Sequence, residues 1–147
     1  KGALPVYYLP RLRGDLRVGS NAFIWWSVAF GAMTILGHSK PIFLLWRGGG
    51  KGVATGAGVF LALAAGPMLT ALAVFGFVLW ASGYVSLSSL MAAVVLPVFV
   101  FLDQGVTPVF YSSVAIALFV FWTHRSNIDR LKSGTEHRFN RKKELGS

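Results

Sequence analysis

The apolar positions of this chain are gathered into long blocks, and the charged ones lie between the blocks. Asn21–Gly37, Val53–Ala81, Ser86–Leu102 and Val106–Trp122 contain no Asp, Glu, Lys or Arg. A bilayer-crossing helix needs roughly 17 to 25 such residues, so the first, third and fourth blocks each predict one crossing. The second block is longer and carries Gly66-Pro67 in its middle. It fits either one kinked helix or a hairpin of two short ones, because the hydrogen bond that Pro removes can be replaced by neighbouring helices or water. Ahead of these blocks, Lys1–Pro10 (KGALPVYYLP) reads as the end of a helix whose beginning is missing, followed by an Arg-rich link at Arg11–Arg17.

Charge decides between the two readings of the second block. His124–Ser147 holds seven Lys or Arg against three Asp or Glu, which marks a cytoplasmic tail by the positive-inside rule. Counting back, the turn Asp103–Gly105 is external and Ser86 is cytoplasmic. Arg47 and Lys51 obey the same rule only if the chain crosses twice between Lys51 and Ser86. A hairpin turning at Gly66-Pro67 is therefore expected. Its arms of about thirteen residues cover about 20 Å of a hydrocarbon core near 30 Å, which implies local thinning or burial among longer helices.

Composition agrees with this pattern: 54% of the residues are hydrophobic and 13% charged, too apolar for a soluble domain of this length. The fold expected is all-α, a polytopic integral membrane helical bundle with about five full crossings and part of another. Residues 1–123 form the transmembrane domain, with a cytoplasmic loop at 37–58, and residues 124–147 a basic cytoplasmic segment. The chain has no Cys, so disulfides and thiolate metal sites are excluded; no metal and no cofactor are expected. The net charge of +9 sits in tails and loops, where it sets orientation and attracts anionic headgroups. The bilayer is then the expected partner and nucleic acid is not; a monomer is expected.

The loop Gly37–Gly58, GHSKPIFLLWRGGGKGVATGAG, carries the clearest chemistry. Successive glycines let backbone N–H groups curl around an anion. Gly48, Gly49, Gly50 and Gly52 surround Lys51, with Arg47 just before them, so a phosphate site is expected there. It is not the nucleotide P-loop, because Leu45 stands where that motif needs Gly and Gly52 where it needs Ser or Thr; Thr55 comes too late. The competing explanation is a flexible basic turn between membrane helices.

Two further polar stretches fall on the same face by the parity count. Ser86, Ser88 and Ser89 open a helix, and one of them would serve as its N-cap; three exceed that need. His124 and Asn127 are spaced to share a helical face at the mouth of the last crossing, with Arg125 and Arg130 beside them. A basic helix resting on headgroups explains Arg125, Lys132 and Arg141–Lys143 equally well.

These stretches together resemble a known family. GHSKPIFLLWRGGGKGVATGAG is similar to the central motif of the bacterial acyl-phosphate:glycerol-3-phosphate acyltransferases, and YVSLSSL (Tyr84–Leu90) and HRSNIDRLKSGTEHRF (His124–Phe139) look like two further family segments in the right order. Lys40 stands where the family usually has an aromatic, Arg47 replaces a common Lys, and the family's first motif is absent ahead of KGALPV. The resemblance implies seven crossings in the complete fold and a cytoplasmic-facing site in the bacterial inner membrane. The activity implied moves a fatty acyl group from acyl phosphate to the 1-position of glycerol 3-phosphate, giving lysophosphatidic acid and phosphate. It also implies that the missing segment supplies active-site groups, so that these residues alone would be poorly active.

An acyl phosphate carries its own leaving group, so no covalent enzyme intermediate is needed; the task is to hold two anions, orient the hydroxyl and stabilise charge. The expected catalytic residues are His124, Asn127 and Ser88. Gly48–Gly52, Lys51 and Arg130 are the expected phosphate ligands, and His38, Arg47, Thr55, Ser86, Ser89 and Glu136 are secondary candidates. His124 can act as base near neutral pH, and the substrate's own phosphate is an alternative acceptor of the proton. A transporter of a phosphorylated metabolite is the other function class to weigh. Against it, Val53–Leu102 has no Asp, Glu, Lys, Arg or His to line a polar path. Clustered Ser, His and Asn argue weakly against a non-catalytic scaffold.

Overall fold

The computed structural model describes residues 3–12, 21–39 and 53–139. Among these residues the elements are seven helices: α1 (Ala3–Leu12), α2 (Asn21–Ser39), α3 (Val53–Leu63), α4 (Ala65–Ser82), α5 (Val85–Gln104), α6 (Pro108–Thr123) and α7 (Arg125–Lys132). Gly37–Ser39 fall inside α2, while Lys40 to Gly52, with Arg47, Gly48, Gly49, Gly50 and Lys51, lie outside the described residues, as does the tail from Asn140.

The long apolar block is a hairpin, and it turns earlier than the Gly-Pro pair. Ala64, at φ −153° and ψ 72°, separates α3 from α4. Val53, at the start of α3, packs with Leu90 and Val120, whereas Ala64 packs with Val100 and Val109 and the Leu63 carbonyl accepts from Gln104 Nε2 at 3.3 Å. α3 therefore runs from the level of Leu90 to the far end of α5, and α4 runs back to meet α5 at Gly83. Pro67 falls in the first turn of α4, where no intrahelical N–H is required of it, and so it does not mark the bend. The arms are unequal as a result: 11 residues in α3 and 18 in α4, about 16 and 27 Å at 1.5 Å per residue.

Local chemistry sets the other turns. Gly83 takes φ +74°, and its N–H closes α4 onto the Leu79 carbonyl at 2.8 Å, a left-handed C-terminal stop that Gly permits without a Cβ clash. Thr107 caps α6 by accepting from the Phe110 N–H at 3.3 Å, with Pro108 next in line. α5 opens instead on Tyr84, with no side-chain cap; the serines that follow do not cap it.

α4, α5 and α6 form the centre, with α5 between the other two, and α1 and α2 pack on α3. Their shared core contains Phe60, Met68, Ala71, Leu96, Val100 and Val109. Gly31 brings α2 close to α3: a Cβ there would stand 2.6 Å from Val59 Cγ1, the small-residue contact common where helices meet in lipid. The outside is apolar. Trp80 is 75% exposed and Leu102 70%, and α4 and α5 are long and apolar enough to cross a bilayer.

Candidate active site

The turn between α4 and α5 and the break between α6 and α7 come together at one end of the bundle. Between them lies a cavity of about 840 Å³. Its polar mouth includes Ser86 and Ser89 from α5, His124 from the α6–α7 break, Asn127 from α7, and Glu136 and Arg138 from the segment beyond. Its deeper wall is apolar, with Phe60, Met68, Ala71, Ala92, Ala93 and Leu96 among its residues. On α5 the wall positions 86, 89, 93 and 96 recur at helical spacing, so one face of α5 carries both the polar and the apolar part.

His124 ends α6. Its backbone N–H reaches the Val120 carbonyl, and its side chain turns the same way, Nδ1 lying 2.8 Å from that oxygen and 3.3 Å from Thr123 Oγ1. A carbonyl can only accept, so Nδ1 carries the proton, and in the neutral ring Nε2 holds the lone pair. The residue is only 2% exposed.

Asn127 donates from Nδ2 to Glu136 Oε1 at 2.6 Å, and Arg130 Nε donates to Glu136 Oε2 at 2.7 Å. Burial works to raise the pKa of Glu136, but hydrogen bonding from Asn127, the nearby Ser86 hydroxyl, and the bond and charge of Arg130 outweigh it and bring the value from 4.5 down to about 2. Glu136 is therefore a fixed carboxylate, and it neutralises Arg130 while orienting Asn127.

The three serines are not equivalent. Nine Ser and Thr hydroxyls on these helices bond back to a carbonyl three or four residues earlier in their own helix. Ser88 does so to Tyr84 at 2.8 Å and Ser89 to Val85 at 3.0 Å. Ser86 does not: its hydroxyl is buried and makes no hydrogen bond of regular geometry among the described residues, although it stands close enough to Glu136 to favour the ionised form. It sits in the first turn of α5, behind the left-handed Gly83, so no carbonyl of α5 lies three or four residues before it.

The structure thus brings together Ser86, Ser89, His124, Asn127 and Glu136. Ser88 is fully buried and is not on the cavity wall, whereas Ser86 and Ser89 both line it, Ser89 with its hydroxyl donating to the Val85 carbonyl. Thr55 is also buried, in α3, and is absent from the wall, whereas its neighbours Ala54 and Gly56 line it. Arg130 faces Glu136 and is not a wall residue either. The side chain of His38 and all of Arg47–Gly52 lie outside the described residues. Val53, which directly follows Gly52 in sequence, does line the cavity.

An ionic mouth above an apolar wall, within a bundle that exposes Trp80 and Leu102 to its surroundings, is the arrangement of an integral membrane protein with an amphipathic cavity. Comparison with known proteins specifies which. A family model described as "Glycerol-3-phosphate acyltransferase" matches residues 1–134. The glycerol-3-phosphate acyltransferase of Syntrophotalea carbinolica is 39% identical over 141 residues, which is 95% of this chain and 67% of that protein. The same-named protein of Thermosynechococcus vestitus is 48% identical over 116 residues, 79% of this chain and 54% of that one. Among solved structures, PlsY (YgiH), described as an integral membrane glycerol 3-phosphate acyltransferase, superimposes with a TM-score of 0.83 at 30% identity in its glycerol 3-phosphate form, over 99% of this chain and 69% of that chain. Its lysophosphatidic acid form gives 0.78 at 33% identity.

This chain belongs to the glycerol-3-phosphate acyltransferase family. It is an integral membrane helical bundle, and the transporter alternative is not favoured. The chain spans about half to two thirds of the length of these two relatives.

Proposed function

We propose that the protein of which these residues are part transfers a fatty acyl group from acyl phosphate to the 1-position of glycerol 3-phosphate, releasing phosphate and lysophosphatidic acid. The observation that carries this reading is the amphipathic cavity: a polar mouth at Ser86, His124 and Asn127 continuous with an apolar wall reaching Met68 and Leu96. From Ser86 to Leu96 the α5 face spans about 15 Å. That shape suits an acyl chain with its reacting carbonyl at the mouth. PlsY structures with glycerol 3-phosphate and with lysophosphatidic acid support the same acceptor and product.

In this reading the acceptor's hydroxyl oxygen attacks the acyl carbonyl carbon, the bond from that carbon to the phosphate oxygen breaks, and phosphate leaves with the electron pair. Because His124 Nδ1–H is bound to Val120, its Nε2 receives the hydrogen bond of the attacking hydroxyl, and the proton passes to Nε2 or to the departing phosphate. Asn127, held by Glu136, and Ser86 orient the polar groups. Gly48–Gly52 and Lys51 hold a phosphate; Val53 on the wall supports this, since it follows that loop directly. Preorganised donors at such a site supply roughly 3 to 4 kcal/mol each to the transition state.

The site faces the cytoplasm of a bacterial inner membrane, on the positive-inside argument, and the working unit is a monomer that needs neither cofactor nor nucleic acid. The test is an initial-rate assay of acyl transfer with the full-length protein in detergent. Release of phosphate that depends on both glycerol 3-phosphate and acyl phosphate is expected; hydrolysis of acyl phosphate at the same rate without the acceptor would sink the reading.

A further inference from the structure

Beyond Glu136 the chain folds back across the α4–α5 turn. The Phe139 N–H donates to the Gly83 carbonyl at 2.6 Å, and Arg138 Nε donates to the Ser82 carbonyl at 3.1 Å. The guanidinium carbon of Arg138 lies 5.4 Å from the centre of the Tyr84 ring. The approach is close enough that a Cβ on Gly83 would stand 3.4 Å from Arg138 Cγ. Arg138 lines the cavity mouth. It is held there by one of its donors and by ring stacking, so its two terminal nitrogens are presented by an already oriented side chain.

Charge distinguishes it from Arg130. Arg130–Glu136 is the one ion pair among the described residues, so Glu136 cancels Arg130, which the sequence had offered as a phosphate ligand. No carboxylate among the described residues pairs with Arg138. An exposed guanidinium at the cavity mouth with no carboxylate partner among the described residues fits a compact dianion better than a neutral group, and the planar fork of N–H donors matches phosphate oxygens two at a time.

We propose that Arg138 is a phosphate-binding residue of the cavity, holding the phosphate group of a phosphorylated substrate. This rests on the reading of the cavity as a substrate site. The test uses the full-length protein in an uncharged detergent, with Arg138→Gln, Arg138→Lys and, as an exposed control, Lys132→Gln. Arg138→Gln raises the KM for glycerol 3-phosphate or for acyl phosphate about tenfold or more while kcat stays within about threefold; Arg138→Lys recovers most of the loss, and Lys132→Gln is unchanged. In parallel, inorganic phosphate is titrated against the thermal midpoint of each variant, and Arg138→Gln weakens that protection by a similar factor.

Unchanged KM values in Arg138→Gln would overturn the assignment, as would a fall in kcat and thermal midpoint together at constant KM, which marks a purely structural strap. An effect seen only when anionic lipid is added would assign Arg138 to bilayer headgroups and equally overturn it. If the wild-type protein transfers no acyl group, the proposed function fails instead, and the phosphate titration alone decides Arg138.

Discussion

Asn127 and Glu136 are joined at 2.6 Å across the turn that ends α7, the amide donating and the carboxylate accepting. Asn127 is thereby oriented by a residue that cannot itself give up a proton near neutrality. Its partner's pKa, lowered from 4.5 to about 2, sets the direction of a first prediction. A carboxylate whose folded value lies below its unfolded one stabilises the fold above the unfolded value, and the stabilisation is lost as pH falls through the folded one. Glu136→Gln is expected to lower the thermal midpoint at pH 7 and to flatten its fall between pH 4.5 and about 2. Midpoints measured across that window check it, and an unchanged slope in the variant rules the linkage out.

The serines separate activity from packing. Ser86→Ala removes a hydroxyl with no helical partner and is expected to lower the transfer rate about tenfold or more with little change in stability. Ser88→Ala removes a hydroxyl bound to its own helix and turned away from the cavity, and is expected to keep a near-normal rate. Initial rates for the two variants side by side provide the measurement; the reverse order would return Ser88 to the site.

Acyl-chain length should respond to the apolar wall. Ala92 lies on it between Ser89 and Leu96, so Ala92→Phe fills the middle of the cavity. Its preference is expected to move to shorter acyl phosphates, with kcat/KM for a long chain falling by about tenfold and that for a short chain retained. Equal losses at all lengths would show that the chain does not lie there.

Gly31 predicts a packing defect with a specific cure. The Cβ of Gly31→Ala meets Val59 Cγ1 at 2.6 Å and Val6 Cγ2 at 3.3 Å, and overpacking of this kind costs about 1 to 3 kcal/mol. A lower thermal midpoint is expected, restored in part by adding Val59→Ala. Failure of the second change to help would place the strain elsewhere.

The hairpin itself can be tested because the chain has no Cys. Single cysteines at Asp103 and Lys132, both exposed, are expected to react with an impermeant reagent from opposite sides of the membrane. Reaction of both from one side would break the parity on which the orientation rests.

Much of the fold could be read from the sequence because membrane helices are written in uninterrupted apolar blocks. α2, α5 and α6 fall within three residues of the block limits at each end. The hairpin was legible through charge parity, but its bend at Ala64 was not, because Gly66-Pro67 is equally at home in the first turn of a helix. At the site, His124 and Asn127 were readable from spacing. Which of the three serines reach the cavity was not legible, because three hydroxyls in four residues look alike until Gly83 fixes where α5 starts and so which of them, Ser86 and Ser89, face the wall. Gly83, followed three residues later by Ser86, was the available signal: a first-turn serine behind a helix stop has no carbonyl of its own helix to return to. Arg138 lies within the family-like segment His124–Phe139, but its place at the cavity mouth depends on a fold-back that no local pattern announces.

The continuity of a polar mouth with an apolar wall has a kinetic consequence. At one end of the cavity stand Ser86, His124 and Asn127, and at the other Met68 and Leu96. Under the proposed function, a fatty donor stays immersed in hydrocarbon throughout turnover while a water-soluble acceptor arrives from the aqueous side. For such an arrangement, bulk molarity is the wrong variable for one of the two substrates. The rate follows the donor's mole fraction in the lipid or micelle phase, so adding inert detergent at constant total donor slows the enzyme by surface dilution.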